Sequence, residues 1–300
     1  MPLKLISLNP TNLNAYALMT YPRYRLFLRS AADKTDPTIL AIGAQNSSEE
    51  PIGLVLAKTT GNDIVQLLSL FTAKNHRKQG IAKILLQHLE TELTDLQCKR
   101  IFTVYEREAD YSEPVEKLLD FFHYEPYRVR SLIGRADREA IIKAPWLENE
   151  ISLNGFELGL WKDVSDFEKQ AIKDSQSKNA WYPEILTPFQ EEHSIDPISS
   201  LVLRQNGQKD IVGWFINHRV MRDAIRFTAM FVRKEFQRSG LGLPMLAESI
   251  QRLLHHQDPH LKIGIFMIQN TNKMMMNFAR KRLAPYLSEL HESVERSKLL

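Results

Sequence analysis

The sequence predicts a mixed α/β fold, an α+β mixed sheet repeated in two tandem domains of one kind. The chain has 300 residues, too many for one small domain and enough for two. Strand-like runs dominate the middle of each half, with helical patterns before and after them. A segment of the first half recurs in the second at an offset of 160 residues. We place the boundary at Pro145, which divides the chain into domains at 1–145 and 146–300.

The predicted elements follow the same order in both halves. In the first half they are a strand at 3–8, a helix at 13–29, strands at 51–59 and 63–72, a strand at 100–105 and a helix at 113–122. In the second half they are a strand at 156–160, a helix at 164–174, strands at 210–217 and 224–232, a strand at 262–268 and a helix at 271–283. A further helix is expected after the second long strand of each half.

Composition excludes several classes of protein. Hydrophobic residues make up 43% and charged residues 25%, which fits a globular chain and excludes a disordered one. The net charge of +3 gives no argument for a nucleic-acid partner. We expect no signal peptide, no membrane helix and no metal, although His255, His256 and His260 lie close in sequence. One cysteine, Cys98, excludes an intrachain disulfide, and a cytoplasmic location is expected.

The recurring segment has the character of an anion site. Phe71, Lys74 and Gly80 of the first half correspond to Phe231, Lys234 and Gly240 of the second, and an apolar residue follows each glycine. In both halves a strand runs into a short basic loop and then a helix, whose free N–H groups and dipole favour negative charge. Neither loop has the P-loop or the dinucleotide-binding spacing of glycines. The alternative is a plain strand–turn–helix corner, which recurrence at equivalent places disfavours.

These loops resemble motif A of the GNAT superfamily, the acyl-CoA-dependent N-acetyltransferases. The motif, Gln/Arg-x-x-Gly-x-Gly/Ala, is met by Arg77-x-x-Gly80-x-Ala82 and by Gln237-x-x-Gly240-x-Gly242. The resemblance implies acetyl-CoA or another acyl-CoA as the cofactor. Its pyrophosphate would lie on the amides of Arg77, Lys78, Gln79, Gly80, Ile81 and Ala82, or of Gln237, Arg238, Ser239, Gly240, Leu241 and Gly242. Its pantetheine would pair with Leu70, Phe71 and Thr72, or with Met230, Phe231 and Val232. The second half keeps both glycines and is expected to hold the better site.

One part of the family pattern is missing. The resemblance implies a tyrosine acid on the helix after the fifth strand, but that position is Leu119 in the first half and Ala279 in the second. Asn272 fits the asparagine that begins this helix pattern, and it is a candidate cofactor-binding residue. Tyr105 is a candidate acid, with a tyrosine at the edge of the core as the alternative. His218 is a candidate base, with a surface histidine at a strand end as the alternative.

The resemblance implies acyl transfer from acetyl-CoA to a primary amine by direct attack on the thioester. The acceptor would be a small molecule, a peptide N-terminus or a lysine, and the sequence does not choose among them. Trp181 and Tyr182 would lie in the acceptor loop of the second half, where they would either wall a pocket or pack in the core. A second hypothesis is a non-catalytic acyl-CoA-binding or scaffold protein, since both tyrosines are absent. A third is that only the second half reacts. The oligomeric state is not indicated.

Overall fold

The computed structural model describes residues 3–61, 63–148, 153–208, 210–237 and 239–300. These residues form a mixed α/β fold, which confirms the predicted class. The strands are β1 (Lys4–Ser7), β2 (Ile39–Gln45), β3 (Pro51–Thr59), β4 (Ile64–Thr72), β5 (Arg100–Glu106), β6 (Arg128–Asp137), β7 (Phe156–Leu160), β8 (Leu201–Gln205), β9 (Ile211–Met221), β10 (Ala224–Val232), β11 (Ile263–Gln269) and β12 (Glu289–Leu299). The α-helices are α1 (Leu13–Tyr16), α2 (Arg25–Ala32), α3 (Ile81–Asp95), α4 (Ser112–Phe121), α5 (Arg138–Ile141), α6 (Asp166–Lys178), α7 (Gly242–His256) and α8 (Lys273–Phe278).

Three of the predicted elements differ from the observed ones for local reasons. The helix expected over 13–29 is broken into α1 and α2. Pro22 starts a separate 3₁₀ turn between them, because proline has no N–H to continue a helix. The strand expected over 210–217 continues to Met221, because it pairs with β10 over most of its length. The helix expected over 271–283 is α8, followed by a π-helical segment at Ala279–Leu283.

The first compact unit consists of residues 1–130 and 292–300. Its sheet has the strand order β1-β2-β3-β4-β5-β12, in which β4 and β5 are parallel and the other neighbours antiparallel. Helix α3 buries a stripe of leucines against this sheet, and Leu85 and Leu89 are fully enclosed in the core. A second core contains Tyr16 of α1 and Leu28 of α2.

The second compact unit consists of residues 131–291. Its sheet has the order β6-β11-β10-β9-β8-β7, in which β10 and β11 are the parallel pair. Trp214 of β9 packs with Ile172 of α6 on one face of the sheet. Asn217 of the same strand donates to Ser249 Oγ of α7 at 2.8 Å on the other face. The two units therefore repeat one arrangement of strands and helices.

The first unit takes its sixth strand from a distant part of the sequence, whereas the second unit is one continuous segment that begins with its own. Residues 293–299 of β12 pair with β5 in the first unit, and residues 131–137 of β6 pair with β11 in the second. Arg296 of β12 is buried and donates to the carbonyls of Tyr124 and Glu125 at 2.7 and 2.8 Å and to Asp120 Oδ1 at 2.7 Å. These bonds fix the last strand to the end of α4. The compact units follow strand pairing rather than the repeat, so the division at 145/146 stays a prediction about the two repeats.

Candidate active site

The parallel strands of the first unit separate at their carboxyl ends. Ladder pairing joins Ile64–Leu67 of β4 to Arg100–Thr103 of β5 and goes no further. Beyond it, Leu68 forms a bulge against β3, and β4 continues through Leu70, Phe71 and Thr72. On the β5 side, these residues present backbone groups that the ladder does not use. The Thr72 hydroxyl is buried and has no hydrogen-bond partner among the described residues. An extended polar chain fits this open edge.

The second unit repeats this separation 160 positions later. Pairing joins Ala224–Phe227 of β10 to Ile263–Phe266 of β11 and stops there. Thr228 is the bulge residue against β9, at the position that corresponds to Leu68. Met230, Phe231 and Val232 follow it on the open edge. The shared bulge and separation show that the sequence repeat corresponds to a repeat of local geometry.

The two basic loops are held by matching hydrogen bonds. Arg77 Nε donates to the Thr72 carbonyl at 3.3 Å, and Gln237 Nε2 donates to the Val232 carbonyl at 2.9 Å. In both loops, the residue after the strand donates its backbone N–H to the third strand of that unit, Ala73 to Ile52 at 2.9 Å and Arg233 to Val212 at 2.8 Å. The first motif residue therefore closes the loop, whether it is arginine or glutamine.

Glycine at the third position after this residue takes a conformation that other residues avoid. Gly80 has φ +81° and Gly240 has φ +77°. The position of a Cβ at either glycine is open space, so backbone conformation and not crowding requires glycine. Lys78 also has a positive φ, of 62°, while Arg238 lies outside the described residues. Gln79 donates its side-chain amide to the Asn75 carbonyl at 3.4 Å.

The helices that follow begin without a side-chain cap. Within the described ranges, no side chain accepts a hydrogen bond at the start of α3 or α7. Ile81 and Leu241 anchor the two helix starts in the cores, which leaves the amides around Ala82 or around Ser239 and Gly242 facing outward. An N-terminus of this kind attracts a pyrophosphate. The loop residues therefore fit a nucleotide-bearing cofactor in both units.

The second unit encloses a large cavity at its strand separation. Its volume is about 750 Å³, and Thr228 and Met230 of the open edge line it. Ile250 and Leu253 of α7 line it on one face of the sheet, and Gln190 and Glu191 line it on the other. The cavity therefore passes between β10 and β11 from the cofactor loop side to the opposite side. This volume lies within the usual range for small-molecule sites.

Tyr105 lies one residue before the end of β5 and is mostly buried. Its hydroxyl donates to Glu116 Oε1 at 3.4 Å. Burial, with the negative charge of Glu116 as the next cause, raises the pKa of Tyr105 to about 12. The hydroxyl is thus protonated at neutral pH, as an acid for a leaving thiolate must be. Leu119, the position of the missing tyrosine, is buried in the same core.

His218 lies inside β9, three residues before its end, and is almost fully buried. Its Nε2 lies 2.8 Å from the Gln190 carbonyl and its Nδ1 lies 2.7 Å from Thr228 Oγ1. Because a carbonyl only accepts, Nε2 carries the proton, and Nδ1 accepts from the Thr228 hydroxyl. Burial, the largest cause, lowers the pKa of His218 and keeps the ring neutral. The alternative of a surface histidine is therefore wrong. The role of His218 as a base stays a prediction, and it requires the Thr228 hydroxyl to release Nδ1.

Four other residues that the sequence singled out have structural roles in the second unit. Asn272 caps α8 by accepting the Met275 N–H at 3.1 Å, and it also lines the cavity. Trp181 and Tyr182 pack edge-on against Trp214, at ring centroid distances of 5.4 and 4.9 Å, so they belong to the core of the second unit. Ala279 is fully buried.

The sequence did not indicate the polar residues of the cavity. Glu191, Arg226 and Thr228 line it, and Arg226 Nη2 donates to Glu191 Oε2 at 2.8 Å. The sequence gives one sign of these residues. Thr228 stands 160 positions after Leu68, and each of the two forms a bulge in its own strand. Within the described residues, no helix has the length and apolar character to cross a bilayer, and no three metal-ligating side chains come together.

Comparison with known proteins matches residues 10–119 to the model of the acetyltransferase (GNAT) family. A tandem GNAT protein from the clavulanic acid biosynthesis pathway superposes along the whole chain, with a TM-score of 0.64 at 10% identity. The superposition covers 99% of this chain and 98% of that one. The chain is a tandem GNAT-fold protein. No curated protein matches the sequence.

Two other GCN5-related acetyltransferase structures superpose on this chain over its length. A GCN5-related N-acetyltransferase from Sphaerobacter thermophilus has a TM-score of 0.58 at 12% identity, over 99% of this chain and 95% of that one. A GCN5-related glucosamine N-acetyltransferase region of a fungal multi-domain β-N-acetylglucosaminidase has a TM-score of 0.57 at 12% identity, over 100% of this chain and 38% of that one. At these identities the likeness establishes the fold of this protein.

Proposed function

We propose that this GNAT-fold protein is a cytoplasmic acyl-CoA-dependent N-acyltransferase that moves an acetyl group from acetyl-CoA to a primary amine. The acceptor is a small molecule or a peptide. The observation that carries the proposal is that Met230 of the open edge, whose strand leads into the cofactor loop and the uncapped start of α7, lines the second unit's cavity. A cofactor loop and a water-excluding chamber are the two parts that acyl transfer requires.

The residues of the second unit have separate tasks in this proposal. The amides of Gln237, Ser239, Gly240, Leu241 and Gly242 hold the pyrophosphate, and the free edge of Met230, Phe231 and Val232 orients the pantetheine arm. Arg238 belongs to the same loop by sequence. When bound, acyl-CoA supplies an activated thioester carbonyl. A backbone N–H of the open edge polarises this carbonyl, and the apolar cavity wall excludes water from it.

The first unit offers a parallel set of residues. Leu70, Phe71 and Thr72 form its open edge, and Arg77, Lys78, Gln79, Gly80, Ile81 and Ala82 form its loop. The match to the family model falls in this half, while the cavity just described lies in the other. We propose that both loops bind acyl-CoA and that transfer takes place in the second unit. Tyr105 would serve as an acid only if the first unit also reacts.

Proton transfer in the second unit lacks the family tyrosine, because Ala279 stands in its place. The Thr228 hydroxyl and His218 lie beside the open edge and form a hydrogen-bonded pair there. We propose that His218 takes the proton of the attacking amine after Thr228 turns away from Nδ1. Since its pKa is lowered, His218 is already in the neutral form that a base needs.

The experiment is a calorimetric titration with acetyl-CoA, combined with a thiol-release assay over an amine panel. Two sites per chain and thiol release would support the proposal. Gly242→Trp and its counterpart Ala82→Trp form a matched pair, because each fills the approach to one loop. If Gly242→Trp leaves release intact while Ala82→Trp abolishes it, the reacting unit is the first. Binding without release on any amine would favour the non-catalytic scaffold instead.

A further inference from the structure

The cavity of the second unit has an apolar body and a polar edge at Glu191, Arg226 and Thr228. Its walls are mostly aromatic and aliphatic, with Phe215, Phe227, Phe266, Ile250, Leu253 and Met267 among them. An acetyl group occupies only a small part of about 750 Å³. The remaining volume is bounded largely by these apolar side chains, and Asp137, Arg138, Asp258, Lys262 and Asn272 also line the cavity. The molecule that occupies this volume beside the acyl donor is therefore largely apolar.

The polar edge lies on the face of the sheet opposite α7. Asn217 of β9 faces α7, so its neighbour His218 faces the other side, where it contacts the Gln190 carbonyl. Glu191 follows Gln190 and pairs with Arg226 of β10 at 2.8 Å. If the acyl donor binds at the start of α7, as proposed above, the acceptor has the opposite face of the sheet open to it, and the polar edge lies on that face.

A directed chain of hydrogen bonds fixes this edge. Arg226 Nε donates to Thr228 Oγ1 at 3.1 Å, the Thr228 hydroxyl donates to His218 Nδ1, and His218 Nε2 donates to the Gln190 carbonyl. The chain thus begins and ends beside Glu191, since Arg226 also binds its carboxylate. Glu191 has φ +49°, an uncommon conformation for a residue with a Cβ, and its neighbours hold it there.

Glu191 is the carboxylate that can accept a further hydrogen bond from a ligand. Its Oε2 accepts from Arg226, and in the described part of the chain Oε1 has no partner. Asp137 also lines the cavity, but it caps α5 and accepts from Ser288. Asp258 accepts from Arg219 and from the His260 N–H. An alkylammonium that enters an apolar chamber needs a carboxylate at that point, because an unpaired charge is costly to bury.

We infer that Glu191 is the ammonium-recognition residue of the acceptor site, and that the acceptor is a primary amine with an apolar body. This inference rests on the proposed function, and it narrows the acceptor from any amine to this class. Glu191 contacts the substrate in this assignment, Arg226 and Thr228 position Glu191, and His218 keeps its proposed role as the base. The apolar body occupies the volume between the phenylalanine side chains and α7.

The test is calorimetric binding of three probes, with and without CoA. The probes are 1-hexylamine, 1-hexanol, which has the apolar body without the charge, and ethanolamine, which has the charge without the apolar body. We expect 1-hexylamine to bind best. Glu191→Gln should weaken 1-hexylamine at least about tenfold, because it removes a charged hydrogen-bond acceptor. The same variant should leave 1-hexanol and acetyl-CoA binding unchanged.

Glu192→Gln is the matched control. Glu192 is the next residue, its side chain is as exposed as that of Glu191 (45% against 46%), and it contacts Lys173 at 3.7 Å outside the cavity. We expect this variant to bind 1-hexylamine as the unmodified protein does. Near-UV circular dichroism would show whether both variants keep the aromatic core.

The outcomes separate this inference from the proposed function. Failure of acetyl-CoA to bind would overturn the proposed function, whereas the 1-hexylamine titration tests the site by itself. Equal binding of ethanolamine and 1-hexylamine, or an unchanged affinity in Glu191→Gln, would overturn the inference. Octanoyl-CoA binding more tightly than acetyl-CoA, with no 1-hexylamine binding, would assign the apolar volume to an acyl chain and overturn it as well.

Discussion

Gln237 donates its side-chain amide to the carbonyl of Val232 at 2.9 Å, and this bond closes the cofactor loop of the second unit. Replacement by alanine frees the loop at the cost of one hydrogen bond, about 1 kcal/mol. We expect Gln237→Ala to weaken acetyl-CoA binding to this unit roughly five- to tenfold. Gln237→Arg should restore most of the affinity, because Arg77 makes the same bond in the first unit. Calorimetry measures the acetyl-CoA affinity of both variants. Normal binding by Gln237→Ala would show that this hydrogen bond does not contribute to cofactor affinity.

Gly240 and Gly242 stand two residues apart, but we expect alanine substitutions at the two positions to have opposite effects on stability. An alanine at Gly240 must take φ near +77°, which costs about 1–2 kcal/mol. Gly242 is the first residue of α7, and a Cβ there would meet only Met230 Sδ at 3.5 Å, an ordinary contact. Gly242→Ala should therefore be neutral or stabilise by up to about 1 kcal/mol. Urea unfolding measures the two free energies, and equal losses would contradict the helical assignment of Gly242.

We expect the Glu168 carboxylate to account for part of the stability that the second unit loses at low pH. It forms a capping box with Ser165 and binds Arg204, and the Ser165 hydrogen bond, as the largest cause, lowers its pKa to about 2. Because the folded pKa lies below the unfolded one, this stabilisation is present above about pH 4.5 and is lost as pH falls toward 2. Glu168→Gln should cost about 1 kcal/mol at pH 7. The same variant should show a smaller loss of stability between these pH values.

Stability measured against pH by urea unfolding tests this expectation. Glu157→Gln supplies a control on the neighbouring strand β7, because Glu157 is exposed. If Glu168→Gln and the unmodified protein lose stability in parallel below pH 4.5, the carboxylate is not the group responsible.

Arg296 is the anchor of the last strand in the first unit. Loss of its guanidinium would leave the carbonyls of Tyr124 and Glu125 without their donors. We expect Arg296→Met to destabilise this unit by about 3 kcal/mol. Arg128→Met is the matched control, since its side chain is largely exposed and makes a single ion pair with Glu125. Thermal unfolding distinguishes them, and similar midpoints would show that β12 is held by its ladder alone.

The sequence predicted strands at 51–59 and 224–232 with the observed bounds, because apolar runs between turns mark them clearly. It did not predict β6 and β12, which carry many charged residues and become strands through pairing with β11 and β5. The motif loops were predictable because glycine at positive φ and a helix start leave a trace in sequence. The polar edge at Glu191 was not, because a bulge and a distant loop bring its members together.

The non-contiguous first unit sets an order of events during synthesis. Residues 1–130 leave the ribosome with the β12 side of β5 open, and the strand that covers it is made only after residues 131–291. The nascent chain therefore carries an uncovered strand edge for more than half of its translation. Because β12 belongs to the first unit but is encoded after the second, no single division of the gene yields two intact units. Two independent genes would require the last strand to be moved first.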